Sequence, residues 1–194
     1  MNPIQISKGN TKTGRIPAFS LPPIKSCPNN KFCAKQCYAV KSYRMYPSVK
    51  TAWNNNFEIA QRGSLVDEFM QWYESKRKKP KYFRIHVSGD FYNEDYFMKW
   101  IDIAKRCPDT KFLAFTKVHK LASIPRSGNF ELVCSMFKGM DDSGIPHDAA
   151  IAYAGKEEDY NNMREFIECP GNCETCGVCW SLSKKNISVR FHIH

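Results

Sequence analysis

The chain has 194 residues, 42% of them apolar, with thirteen Phe and four Trp, which is enough for one domain with a real core. A formal charge of +10 favours anionic partners, nucleic acid among them, and no run approaches the roughly eighteen apolar residues a membrane span needs. Nine cysteines and an N-terminus without the apolar middle of a secretory signal point to a reducing cytoplasm, where clustered thiols serve metals and not a disulfide framework.

Residues 1–26 are polar and then proline-rich, with room for a short strand at 19–21 before Pro22 and Pro23 stop it. The loop 27–41, CPNNKFCAKQCYAVK, spaces Cys27, Cys33 and Cys37 at intervals of five and three residues. Structural zinc wants four ligands, commonly in short Cys-x-x-Cys knuckles, and this loop offers three thiols and no knuckle. Three thiolates suit a [4Fe–4S] cluster with one iron left without a protein ligand, open to a small molecule.

From Cys37 to Lys78 the pattern turns helical. KSYRMYPSVKTAWNNN mixes Lys41, Arg44 and Lys50 with Tyr43, Tyr46 and Trp53, a composition that grips single-stranded nucleic acid or else packs as core. Ser64 with Asp67 predicts an N-cap for a helix carrying Leu65, Val66, Phe69, Met70 and Tyr73, closed by Pro80. KYFRIHVSGD alternates, so Phe83, Ile85 and Val87 are expected on one face and Arg84, His86 and Ser88 on the other. Asn93 caps a helix with the stripe Tyr96, Phe97, Trp100, Ile101 and Ala104. KFLAFTKV, FELVCSMF and AAIAYAG read as strands, and EEDYNNMREFIE as a helix. CPGNCETCGVCW then sets Cys169, Cys173, Cys176 and Cys179 within eleven residues, a strong metal signature that fits a cluster or a four-thiolate zinc site. NISVRFHIH alternates again, with Arg190, His192 and His194 opposite Val189, Phe191 and Ile193.

Strands interleaved with helices predict an α/β fold, an open, partial βα barrel of five to six mostly parallel strands with cysteine-rich segments near both ends. One domain, 1–194, is expected, with a cluster-binding loop at 27–41, a βα core at 81–168, a cysteine-rich segment at 169–180 and a C-terminal strand at 187–193. Helices covering the apolar rows would leave Arg84, His86, Arg190 and His192 lining a polar cleft that meets an anionic ligand. His86 and Asp90 flank a Ser-Gly turn and are candidates to move a proton or bind a cofactor amine. Lys117 and His119 follow a strand, where α/β proteins place ligand contacts, while Asp141, Asp142 and His147 read as a turn. Cys107 and Cys134 read as core.

The cysteine trio, with Tyr38 beside its last member and an N-terminal strand before it, resembles the cluster loop of the radical S-adenosylmethionine superfamily. That superfamily's next strand ends in a Gly-Gly-Glu-like motif, and here Ser88-Gly89-Asp90 stands in its place. The resemblance implies a [4Fe–4S] cluster on Cys27, Cys33 and Cys37 and S-adenosylmethionine held by Ser88, Gly89 and Asp90. The intervals between the three cysteines are each longer than the superfamily's usual three and two. Over most of its length the sequence is also similar to the gene product 88 family of phages and mobile elements, through SLP…C…C…CYA, H-x-SGDF and C-x-x-C-G-x-C-W. Two alternatives stay open. One cluster drawing cysteines from both groups would remove the vacant iron. A non-enzymatic module, stabilised by a saturated [4Fe–4S] cluster or zinc, would use its basic surface to bind nucleic acid; a second cluster or zinc on the later cysteines also stays open.

Overall fold

The computed structural model describes residues 2–160 and 163–191. Seven strands form one sheet in the order β1-β2-β3-β4-β5-β7-β6, every adjacent pair parallel. They are β1 (Ala18–Phe19), β2 (Tyr82–Ile85), β3 (Lys111–Thr116), β4 (Phe130–Phe137), β5 (Ala150–Ala154), β6 (Phe166–Glu168) and β7 (Ser188–Phe191). β1 and β6 do not pair, so the sheet is open, with seven strands where five to six were expected.

The extra strand comes from a reversal of type. The segment expected as a helix over 157–168 is a 3-10 turn at Glu157–Asp159 followed by β6. Its spaced apolar residues mimic a helical stripe, but Phe166–Glu168 gain the ladder to Ser188–Arg190. Between them the Tyr160 hydroxyl lies within hydrogen-bond distance of the Met136 and Ala154 carbonyls, at 2.9 and 2.7 Å, and accepts from the Ala154 amide at 3.1 Å, holding the turn against the sheet.

Parallel strands need crossovers, and the first two carry most of the helix. α1 (Tyr38–Met45), α2 (Pro47–Arg62) and α3 (Leu65–Glu74) link β1 to β2, and α4 (Glu94–Arg106) links β2 to β3. Asn93 caps α4 as expected, its side chain accepting from the Tyr96 amide at 2.8 Å, with Glu94 and Asp95 in the first turn. Ser64 caps nothing; its hydroxyl donates to Glu68 at 2.9 Å. Asn56, fully buried on α2, accepts from the Gln5 amide and donates to the Gln5 and Ser20 carbonyls, pinning the N-terminal segment.

α3 and α4 cover one face of the sheet over Phe83, Ile85, Phe112, Ala114 and Leu132. Phe69 sits at the centre, edge-on to Phe83 and Trp100 at 5.1 and 5.4 Å between ring centroids, all three fully buried. The other face is covered by the second cysteine segment. Trp180 and Leu182 pack there on Leu113, Val133, Ala150, Ala152 and Val189. No helix of the described residues is long and apolar enough to cross a membrane.

Candidate functional site

The cysteine trio lies on two 3-10 turns, Asn30–Phe32 and Ala34–Gln36, and on the residue leading into α1. This loop is held over the C-terminal ends of β2 and β3. The Tyr38 hydroxyl donates to the Val87 carbonyl, and the Asn29 side-chain amide donates to the Lys117 carbonyl at 2.7 Å. The Leu21 amide donates to the Ser88 carbonyl at 2.9 Å, so the chain after β1 lies along the turn after β2. Gly89 makes that approach possible: its φ is +92°, and an added Cβ would stand 2.7 Å from both the Leu21 Cβ and the Ser26 Oγ.

Asp90 is fully buried and completely engaged. Its Oδ1 accepts from the Phe91 amide at 2.8 Å and the Thr116 hydroxyl at 2.7 Å; its Oδ2 accepts from the Lys117 amide at 2.9 Å. The Lys117 ammonium lies 3.8 Å from the same oxygen. Asp90 thus locks the end of β2 to the end of β3 and holds a cation beside the trio. Burial pushes the Cys27 thiol up to about 11, with Asp90 raising and Lys117 lowering it. The Cys33 thiol is also raised, by burial first, again against Lys117.

The structure corrects the expected cleft. Ile85 ends β2, and His86 adopts φ +63°, which turns its ring to the helix side instead of continuing the alternation with Arg84. There it is 3% exposed, bonds the Tyr96 hydroxyl through Nε2 at 2.7 Å and lies 4.7 Å from the Phe91 ring. Burial, with Arg84 and Lys117 adding repulsion, depresses its pKa to about 3. Above its ordinary pKa of about 6.5 His86 is neutral folded or unfolded and affects stability little. As pH falls towards 3 the unfolded chain gains a proton that the folded chain refuses. This group alone should remove about 2 kcal/mol between pH 6.5 and 5. His86→Asn tolerates the left-handed backbone and should lose that slope, read as urea midpoints of both proteins at pH 7 and pH 5.

Arg84 and Arg190 look to opposite faces. Arg84 pairs in register with Leu113 and sits 4.1 Å from the Phe115 ring, which in turn meets Phe191. It therefore belongs to the face under the second cysteine segment. Burial pulls its pKa down, while Tyr38 and then Cys173, Cys179 and Cys169 act against that fall, so the guanidinium stands beside the second thiol group. Arg190 pairs in register with Tyr153 and Glu168, bonds Glu168 through Nε at 2.6 Å and covers Phe166 at 4.9 Å. On β7 the apolar row, Val189 and Phe191, faces inwards, so the polar row points away. His192 and His194 lie outside the described residues. Ser88 is 3% exposed, and its Oγ has no hydrogen-bond partner among the described residues.

The second group is built by a short turn. Asn172 caps α5 (Cys173–Cys176) by accepting from the Thr175 amide, and Gly177, at φ +63°, ends it close to the Tyr82 ring. All four cysteines line one small cavity of about 20 Å³, together with Pro170, Val178 and Trp180. Cys179 is pushed up to about 12, chiefly by burial; Arg84 lowers it and Cys169, Cys173 and Cys176 raise it. Mutual repulsion of thiolates is what a bound cation reverses. In the geometry present, no three His, Cys, Asp or Glu side chains of the described residues converge in ligand positions. The trio feels Asp90 and Lys117, the tetrad Arg84, so the thiols form two separate charge clusters.

Among the other candidates, His119 bonds the Ser135 carbonyl at 3.0 Å, and Asp141 accepts from Ser143 within an exposed turn. Cys107 and Cys134 are buried in the core. Sequence reasoning missed Glu131, 8% exposed on β4, which accepts from the Ser183 amide and hydroxyl at 2.9 and 2.8 Å. It ties α6 (Leu182–Lys185), and with it the cysteine segment, to the sheet; a lone carboxylate inside an apolar strand was the available signal.

Fold and site together define an open, all-parallel α/β protein with thiol groups at one end of the sheet and across one face. The family model for gene product 88 matches residues 4–182, so the chain belongs to that family. It is 29% identical over 217 residues to the Gene 88 protein of Mycobacterium phage L5, covering 92% of this chain and 89% of that one. It is 32% identical over 134 residues to the Gene 88 protein of Mycobacterium phage D29, covering 62% and 56%. No solved structure matches.

Proposed function

We propose that the chain is an iron–sulfur protein of the radical S-adenosylmethionine kind, with Cys27, Cys33 and Cys37 holding a [4Fe–4S] cluster. The observation that carries this reading is position: the three thiols sit over the C-terminal ends of an open parallel sheet, where α/β proteins bind ligands. Neither 3-10 turn of the loop has a buried residue, so its side chains can turn towards a common centre without opening the core. When bound, such a cluster supplies an electron to the cofactor's sulfonium. The chain's own part is placement. Lys117 offsets thiolate charge, Tyr38 fixes the start of α1 to the end of β2, and Arg84 offers an anion-binding charge on the covered face. Ser88 keeps a free hydroxyl for a ligand, whereas Asp90 positions Lys117 and is spent on the strand ends.

A second reading rests on the small cavity that Cys169, Cys173, Cys176 and Cys179 line together, which supports a saturated thiolate centre that stabilises a binding module. Protein purified without oxygen and assayed for iron, sulfide and zinc separates the two. The first reading expects about four irons per chain that Cys33→Ala removes, and a reduced-cluster electron paramagnetic resonance signal that S-adenosylmethionine alters. Colourless protein whose zinc is lost in Cys176→Ala but kept in Cys33→Ala overturns it in favour of the second.

A further inference from the structure

The positive charge is not spread over the chain. The first acidic residue is Glu58, so all nineteen carboxylates lie at or beyond it, while nine Lys and Arg precede it; the first 57 residues carry +9 of the total +10. All nine cations are exposed. Arg15 pairs with Glu174, and the other eight have no carboxylate within ion-pair distance among the described residues.

Six of these cations, from Lys25 to Lys50, flank the cysteine trio and α1. The same stretch holds the largest exposed apolar side chains: Tyr38 is 68% exposed, Met45 57% and Tyr46 54%. Tyr43 and Trp53, by contrast, stack on each other at 6.1 Å between centroids and join α1 to α2. Part of the aromatic complement is therefore structural; Tyr46, and Tyr38 although its hydroxyl is held by the Val87 carbonyl, keep exposed surface in the same stretch as Lys35, Lys41 and Arg44. Solvated cations need no aromatic neighbours, and an apolar partner would not select an acid-free surface.

We propose that this surface docks single-stranded nucleic acid, its phosphates on Lys35, Lys41 and Arg44 and its bases stacked on Tyr38 and Tyr46. A duplex hides its base faces and would use only the charge. The docked strand would lie beside the trio, so this inference names the substrate class of the site proposed above and rests on that reading only for its chemistry. Binding itself needs no cluster.

The test is fluorescence anisotropy of a labelled twenty-nucleotide oligothymidylate with the protein as purified, titrated with salt. Binding is expected to beat a duplex of equal length and to weaken steeply with salt. Lys41→Ala with Arg44→Ala should weaken it about tenfold and flatten the log–log salt slope by roughly 1.4, at about 0.7 per phosphate contact. Tyr46→Ala should weaken it about fivefold or more with the slope unchanged, and Tyr46→Phe should restore it. The side chain of Tyr46 is outside the core, so folding is not at stake; circular dichroism of each variant checks this. Equal or tighter duplex binding, no binding, or sedimentation with phosphatidylserine vesicles without oligonucleotide binding would each overturn the proposal. Iron-loaded protein that ignores the oligonucleotide discards the docking surface and keeps the cluster; iron-free protein that binds it does the reverse.

Discussion

Asp90→Ala is expected to cost about 3–5 kcal/mol, the range for stripping one partner from a buried, hydrogen-bonded charge pair. The carboxylate is wholly buried and accepts from the Phe91 and Lys117 amides and the Thr116 hydroxyl. Removing it leaves two main-chain donors and one hydroxyl without their acceptor and strands the Lys117 ammonium, whose side chain is only 14% exposed. Asp90→Asn keeps the volume but puts an amide donor where a carboxylate oxygen accepted, facing the donors around it, so about half the loss should remain. Urea unfolding at pH 7 reads both variants, and a loss below about 1 kcal/mol for alanine would contradict the lock between β2 and β3. The expected functional echo is a displaced Lys117 and a weaker hold on the cysteine loop, since Asn29 bonds the Lys117 carbonyl.

Phe69→Ala should be comparably severe, again about 3–5 kcal/mol, because no neighbour can collapse into the space. Its ring touches Trp72 and Tyr73 of its own helix and Phe83, Trp100 and Phe112 from three other elements. Each edge-on pair adds about 0.5–1.5 kcal/mol beyond the area it buries. Phe69→Leu keeps most of the volume and should lose about half as much. Thermal denaturation of the two variants beside the parent is the measurement; a leucine midpoint equal to the parent's would mean that ring geometry adds nothing there, and an alanine midpoint near the parent's would contradict the packing argument.

The sheet, the two longest crossovers and the Asn93 cap were legible because each rests on local pattern. Alternation in KYFRI is a period-two signal, KFLAF and FELVCSMF are short, nearly continuous apolar runs of the kind a doubly covered parallel strand shows, and the stripe from Tyr96 to Ala104 is a helical one. Face assignment was not legible. Alternation separates Arg190 from Val189, yet which row turns inwards depends on what covers each face, and on β7 that cover is the cysteine segment, not a helix. His86 escaped for a different reason: one residue at positive φ breaks the period without leaving a mark in residue type. The helix expected over 157–168 failed where a long-range ladder to β7 outweighed spacing. At the site, the thiols were legible one by one from their spacing. Their companions Asp90, Lys117 and Arg84 acquire meaning only once strands distant in sequence are adjacent. The concentration of charge ahead of Glu58 needed no structure, only the division of a total into its parts.

The sheet also finishes in stubs. β1 has two residues and β6 three, and the outward hydrogen bonds of Ala18 are taken by Ser7 at 2.9 and 3.1 Å. A stray chain seeking a backbone to copy meets a closed rim on one side and a landing too short to register on the other. Seven parallel strands, slow to assemble and rich in Phe, thus offer little exposed edge for templating their own precipitation.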